Sequence, residues 1–140
     1  MPSARILVTG ASGFIGAHLV RWLARCGRDT RAAVRKNSSS DSTSVEVVAV
    51  GNIDRATDWT RALRGIDVVV HLAGRAHVLD ERSPAALERF REVNVEGTMR
   101  LAAQAADRVR RLVFVSSIGV NGSKTTDRPF SESSPPPPVE

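Results

Sequence analysis

Short apolar runs recur along this chain, each closed by glycine or polar residues and followed by a longer amphipathic stretch. The first, Ile6-Leu7-Val8, is continuous rather than alternating, as in a strand buried on both faces. Thr30 to Val34, Val45 to Val50, Asp67 to Leu72 and Leu112 to Val115 read as four more strands. Between them the spacing becomes helical. Ile15, Leu19, Trp22 and Cys26 recur at steps of four and three, which predicts a helix with that side toward the core and a stop at Gly27. A second helix is predicted near Arg55 to Leu63, capped by Asp54 and ended by Gly65. A long third helix starts at a Ser83 cap and Pro84 and runs to Ala106. Its apolar stripe is Leu87, Phe90, Gly97, Leu101 and Ala105, and Asn94 falls on the same stripe.

This alternation predicts an α/β fold, a doubly wound parallel sheet of five strands with helices on both faces and right-handed crossovers. The strand order is expected to be 3-2-1-4-5, with a ligand crevice outside the carboxyl ends, between the first and fourth strands. Residues 1–122 are assigned to this domain. Residues 123–140 carry Pro135 to Pro138, show no periodicity, and are expected to form a Pro/Ser-rich loop. Lys36 to Ser44 is polar and serine-rich, so a surface loop.

The turn after the first strand carries the first chemical signal. It reads Thr9-Gly10-Ala11-Ser12-Gly13-Phe14-Ile15-Gly16. Gly10 lets the chain leave the strand in a conformation that disfavours a Cβ. Gly13 keeps no side chain between the backbone and a diphosphate, and Gly16 allows the helix to pack closely. The N–H groups and positive dipole end of the helix then face the phosphates. A strand before the glycines and an amphipathic helix after them is the context a dinucleotide site requires. The second strand ends at Val34-Arg35 with no acid, where an acid would hold ribose hydroxyls and an arginine a 2′-phosphate. Arg35 therefore leans the cofactor, NAD or NADP, toward NADP.

Charge and composition narrow the classes. The net charge of +5 suggests nucleic acid, but the arginines are scattered and aromatics are only 4%, so stacking platforms are scarce. No run approaches the roughly 18 apolar residues of a membrane helix, and no signal-peptide pattern is present. No nucleic-acid or membrane partner is expected. The single Cys26 makes no intrachain disulfide or metal cluster; it is read as a buried apolar residue in a reducing cytoplasm. His71 at a strand end is tempting as a base, but a histidine held by hydrogen bonds is the favoured reading; His18 and His77 offer less.

The string TGASGFIG, with its Gly-x-x-Gly-x-x-Gly spacing, resembles the short-chain dehydrogenase/reductase superfamily, and its extended branch of nucleotide-sugar epimerases and dehydratases most of all. The resemblance implies a Rossmann-type domain that binds the cofactor through Gly10, Ser12, Gly13, Phe14, Ile15 and Gly16. It places the adenine by Asn52 and Ile53, with Asn52 where family members usually carry Asp. It puts the ribose and nicotinamide against Leu72, Ala73 and Gly74. Asn94-Val-Glu-Gly97-Thr98 matches the family's Asn-x-x-Gly-Thr, with Asn94 favoured as a structural residue beside the site. Ser116 is a cofactor neighbour, and Ser117 matches the hydroxyl residue of the catalytic Ser/Thr, Tyr and Lys trio.

The chain contains no tyrosine, and Lys36 and Lys124 form no Tyr-x-x-x-Lys pair. By resemblance it looks like the front portion of a longer enzyme, stopping just before its catalytic base. The implied function is the NAD(P)-binding portion of a UDP-glucose 4-epimerase-like enzyme acting on a nucleotide sugar. Alternatives are an NADP-dependent reductase and a non-catalytic dinucleotide sensor. A homo-oligomer, with an exposed sheet edge and apolar face, is also implied.

Overall fold

A computed structural model describes residues 4–36, 45–76, 84–122, 124–125 and 128–135. Strands β1 (Ile6–Thr9), β2 (Thr30–Val34), β3 (Glu46–Ala49), β4 (Val68–His71) and β5 (Arg111–Phe114) form one sheet in the order β3-β2-β1-β4-β5, with every pairing parallel. Thr9 stands in register with Ala33 on one side and His71 on the other, so three strand tips end level. Leu7 and Val8, neighbours on the central strand, point to opposite faces and are both fully buried. Leu7 joins a core with Val69, Trp59, Leu63 and Leu101, and Val8 joins one with Ala32, Val20 and Leu23.

Helix α1 (Phe14–Arg25) covers the Val8 face, and it does so with a side other than the one its spacing suggests. Gly16, Val20 and Leu23 are buried, Leu19 is half-buried, and Ile15, Trp22 and Cys26 are exposed. The helix has two apolar stripes, and periodicity cannot say which meets the sheet. Gly16 decides it: a Cβ there would run into the Gly10 carbonyl oxygen, so this side of α1 lies on the turn that leaves β1. Cys26 caps the helix from solvent, and Gly27, at φ +64°, ends it.

The second helix is shorter than its pattern suggests. Helix α2 is a single turn, Thr60–Leu63. Asp54 caps a tight turn before it, its Oδ1 accepting from Ala56 N at 2.7 Å. The carboxamide of Gln104 then holds Trp59 N and Thr57 O, both at 2.9 Å, which a local reading cannot anticipate. The third helix is interrupted: α3 (Pro84–Arg91) passes through a π-helical segment, Glu92–Gly97, into α4 (Thr98–Ala105). Gly97, Leu101 and Ala105 are buried as the stripe predicts. Leu87 is exposed and Ala86 is buried in its stead. The Ser83 cap and the serine-rich loop at 37–44 lie outside the described residues. Strand β5 is a sheet edge, and Phe114 and Val115 at its end are about half exposed.

Candidate functional site

The tips of β1 and β4 are locked together by one threonine and one glycine. Gly10 has φ +65°, and a Cβ there would lie 2.7 Å from Ala73 N and 2.8 Å from the Leu72 carbonyl carbon. Both the backbone conformation and the close approach require glycine. Thr9 Oγ1 accepts from Leu72 N and Ala73 N, each at 3.2 Å, so its proton is directed to His71 Nδ1 at 2.6 Å. That leaves His71 Nε2 to carry the ring hydrogen and donate to Thr98 Oγ1 at 3.0 Å. Burial lowers the His71 pKa from 6.5 to about 4. At neutral pH the ring is uncharged with both nitrogens occupied, so it is a structural pin and not a base.

The glycine turn presents backbone to an open space. Gly13 N donates to Gly10 O at 2.9 Å and Ala11 N reaches Ala33 O at 3.4 Å. The N–H groups of Ser12, Phe14 and Ile15 find no acceptor among the described residues. A Cβ on Gly13 would meet only Gly10 O, at 3.2 Å, and otherwise open space. Helix α1 has neither a side-chain cap nor an acid in its first turn, so no side chain competes for its positive end.

These groups floor a crevice of about 880 Å³ across the carboxyl ends of the strands. Of the residues expected at the site, Gly10, Ser12 and Gly13 line its centre. Arg35, Asn52 and Ile53 line the side of β2 and β3, and Leu72, Ala73 and Gly74 the side of β4. The others stand elsewhere. Gly16 is buried beneath Gly10, and the Phe14 and Ile15 side chains project into solvent. Asn94 works from behind the wall: its Oδ1 accepts from Arg75 N at 2.7 Å and its Nδ2 donates to Arg75 O at 2.9 Å. Ser116 and Ser117 are exposed beyond β5 and do not line the crevice, and Ser117 Oγ accepts from Gly119 N at 3.2 Å to cap a 3-10 turn, Ile118–Asn121. His18 is exposed, its Nδ1 paired with Phe14 O at 2.8 Å, and His77 lies outside the described residues.

The structure adds residues that the sequence did not single out. Lys36 stands beside Arg35, and Asp54, Arg75, Arg89, Glu92 and Val93 also line the crevice. Glu92 and Val93 reach it from the π-helical segment, a local widening that often marks functional sites. The sequence clue was Asn94, a polar residue on an apolar stripe. Gly97 sets the depth of that helix, since a Cβ there would strike the Ile53 side chain. Among the described residues no cluster of His, Cys, Asp or Glu could hold a metal ion, and no helix is long and apolar enough to cross a membrane.

Comparison with known proteins agrees with this geometry. The sequence profile described as "NAD dependent epimerase/dehydratase family" matches residues 6–140. A UDP-glucose 4-epimerase of Vibrio cholerae is 42% identical over 127 residues, covering 89% of this chain and 38% of that protein. A 3-beta-hydroxysteroid dehydrogenase of Mycolicibacterium neoaurum is 37% identical over 123 residues, covering 83% of this chain and 32% of that protein. The structure of MoeE5 in complex with UDP-glucuronic acid and NAD superposes with a TM-score of 0.80 at 33% identity, covering 96% of this chain and 43% of that one. The chain thus spans less than half the length of each of these relatives.

Proposed function

Because the chain belongs to the NAD dependent epimerase/dehydratase family, we propose that its crevice binds a nicotinamide dinucleotide for an enzyme acting on a nucleotide sugar. The observation that carries this is the glycine turn, whose open amides and bare Gly13 face a crevice at the strand tips. Ser12, Phe14 and Ile15 would hold the diphosphate through their N–H groups. Asn52 and Ile53 would flank the adenine, and Leu72 to Gly74 would lie along the nicotinamide ribose. When bound, the nicotinamide supplies a hydride acceptor for a sugar carbinol.

The similarity to a UDP-glucose 4-epimerase, and to a structure holding a UDP-sugar with NAD, supports a UDP-glucose 4-epimerase-like reaction. Ser117 would hold the reacting oxygen of the sugar. In that reading the proton would pass to a tyrosine, and these 140 residues contain none. The chain alone should therefore bind dinucleotide weakly and turn nothing over. Residues 1–122 would be the dinucleotide unit and 123–140 a connection to the rest of the enzyme.

A second reading, an NADP-dependent reductase, draws on Arg35 and Lys36 together at the β2 rim, β2 itself ending in no acid. Calorimetric titration with NAD and NADP separately, on the wild type and Arg35→Ala, tests both. The reading expects NADP to bind more tightly and Arg35→Ala to erase the difference. Equal affinities unchanged by the substitution would remove the 2′-phosphate contact. Failure of both cofactors to bind would remove the dinucleotide site.

A further inference from the structure

Helix α1 has a second apolar stripe that the sheet does not use. Ile15 and Trp22, two turns apart on one side, are 61% and 55% exposed, and Phe14 beside them is 85% exposed. His18, Arg21 and Arg25 are exposed along the same outer side. No acidic residue occurs between Gly10 and Arg28. The outer face therefore offers aromatic and cationic groups with no carboxylate of its own.

Its dimensions say what it fits. A helix of 12 residues is about 18 Å long and shows about 200 Å² on one side. That is about a quarter of the ~800 Å² each partner contributes to a stable protein interface. The face is also convex and offers no groove. A lipid surface requires neither area nor groove: Trp and Phe rings settle at headgroup depth while arginines reach the phosphates. We propose that the outer face of α1, through Ile15, Trp22, Arg21 and Arg25, docks on an anionic lipid surface. The net charge of +5 adds long-range attraction. The absence of a spanning run argues against a helix that crosses a membrane, and not against one that lies on it. A helix lying in the interface needs no spanning length.

Two tryptophans make the test direct, because Trp59 is fully buried and Trp22 alone faces solvent. The chain is sedimented with vesicles of phosphatidylcholine alone and of equal parts phosphatidylcholine and phosphatidylglycerol, and its emission is recorded. It should sediment with the mixed vesicles only, with a blue shift of the Trp22 emission, and Trp22→Gln should weaken the sedimentation. Arg21→Gln with Arg25→Gln should weaken partitioning about 30-fold, at roughly fivefold for each basic residue near an anionic surface. Arg110→Gln with Arg111→Gln removes the same charge elsewhere and should weaken it far less. Circular dichroism should show each variant folded, since the altered side chains are exposed. Absence of sedimentation with the mixed vesicles would overturn the proposal. So would equal losses from the two double variants, which would mean diffuse charge adsorption. A dimer in light scattering that Trp22→Gln dissolves would also overturn it, assigning the face to a second copy of the chain.

Discussion

Protonation of His71 should destabilise this domain, and the size of the effect follows from its surroundings. Burial holds its pKa at about 4, against 6.5 for a free imidazole. Both nitrogens are committed, Nδ1 as an acceptor from Thr9 and Nε2 as a donor to Thr98. A proton on Nδ1 would leave three donors converging on Thr9 Oγ1 and put a charge on a buried ring. Above pH 6.5 the ring is neutral in both folded and unfolded chains, so the full stabilisation is present. As pH falls below 6.5 the unfolded chain takes up the proton first, and stability drains away until about pH 4. The whole span is worth about 3 kcal/mol at about 1.4 kcal/mol per pH unit, and most of it is gone by pH 4.5. A domain of this size holds only about 5–15 kcal/mol in all. The assay is urea unfolding by circular dichroism from pH 7.5 to 4.5 at constant ionic strength, for the wild type and His71→Gln. Glutamine keeps a donor and an acceptor but takes up no proton in this range. The wild type should lose about 2–3 kcal/mol more than the variant. Parallel curves for the two proteins would refute the assignment of a buried neutral imidazole.

Four further outcomes are expected. Gly16→Ala should cost about 3 kcal/mol or displace the turn, because backbone surrounds the added methyl, and thermal melting reads it. Gly13→Ala should cost less than about 1 kcal/mol yet weaken dinucleotide binding, because its methyl would enter the crevice with little behind it. Asn94→Ala should cost about 1–3 kcal/mol in urea unfolding by stranding Arg75 N–H and C=O, and it should weaken cofactor binding in calorimetry. The open edge at β5, with Phe114 exposed, should make the chain self-associate, so light scattering should give a mass above 15.1 kDa that rises with concentration and falls in Phe114→Glu.

Much of this architecture is local in origin and was legible without coordinates. Continuous runs such as Ile6-Leu7-Val8 mark strands buried on both faces, and helices between them dictate parallel pairing and right-handed crossovers; the observed strand order follows. The turn from Gly10 to Gly16 was equally plain, because each glycine meets a steric demand within a few residues of itself. What the chain alone left open depended on rotation and on distant partners. Periodicity assigned Ile15 and Trp22 to the core, and only contact between Gly16 and the Gly10 carbonyl turned α1 to its other stripe. Trp59 was placed by Gln104, forty-five residues later, and Arg75 by Asn94, nineteen residues later. Spacing records which side chains share a helix face; which face meets the sheet is decided when backbones touch, and that is a property of the assembled fold.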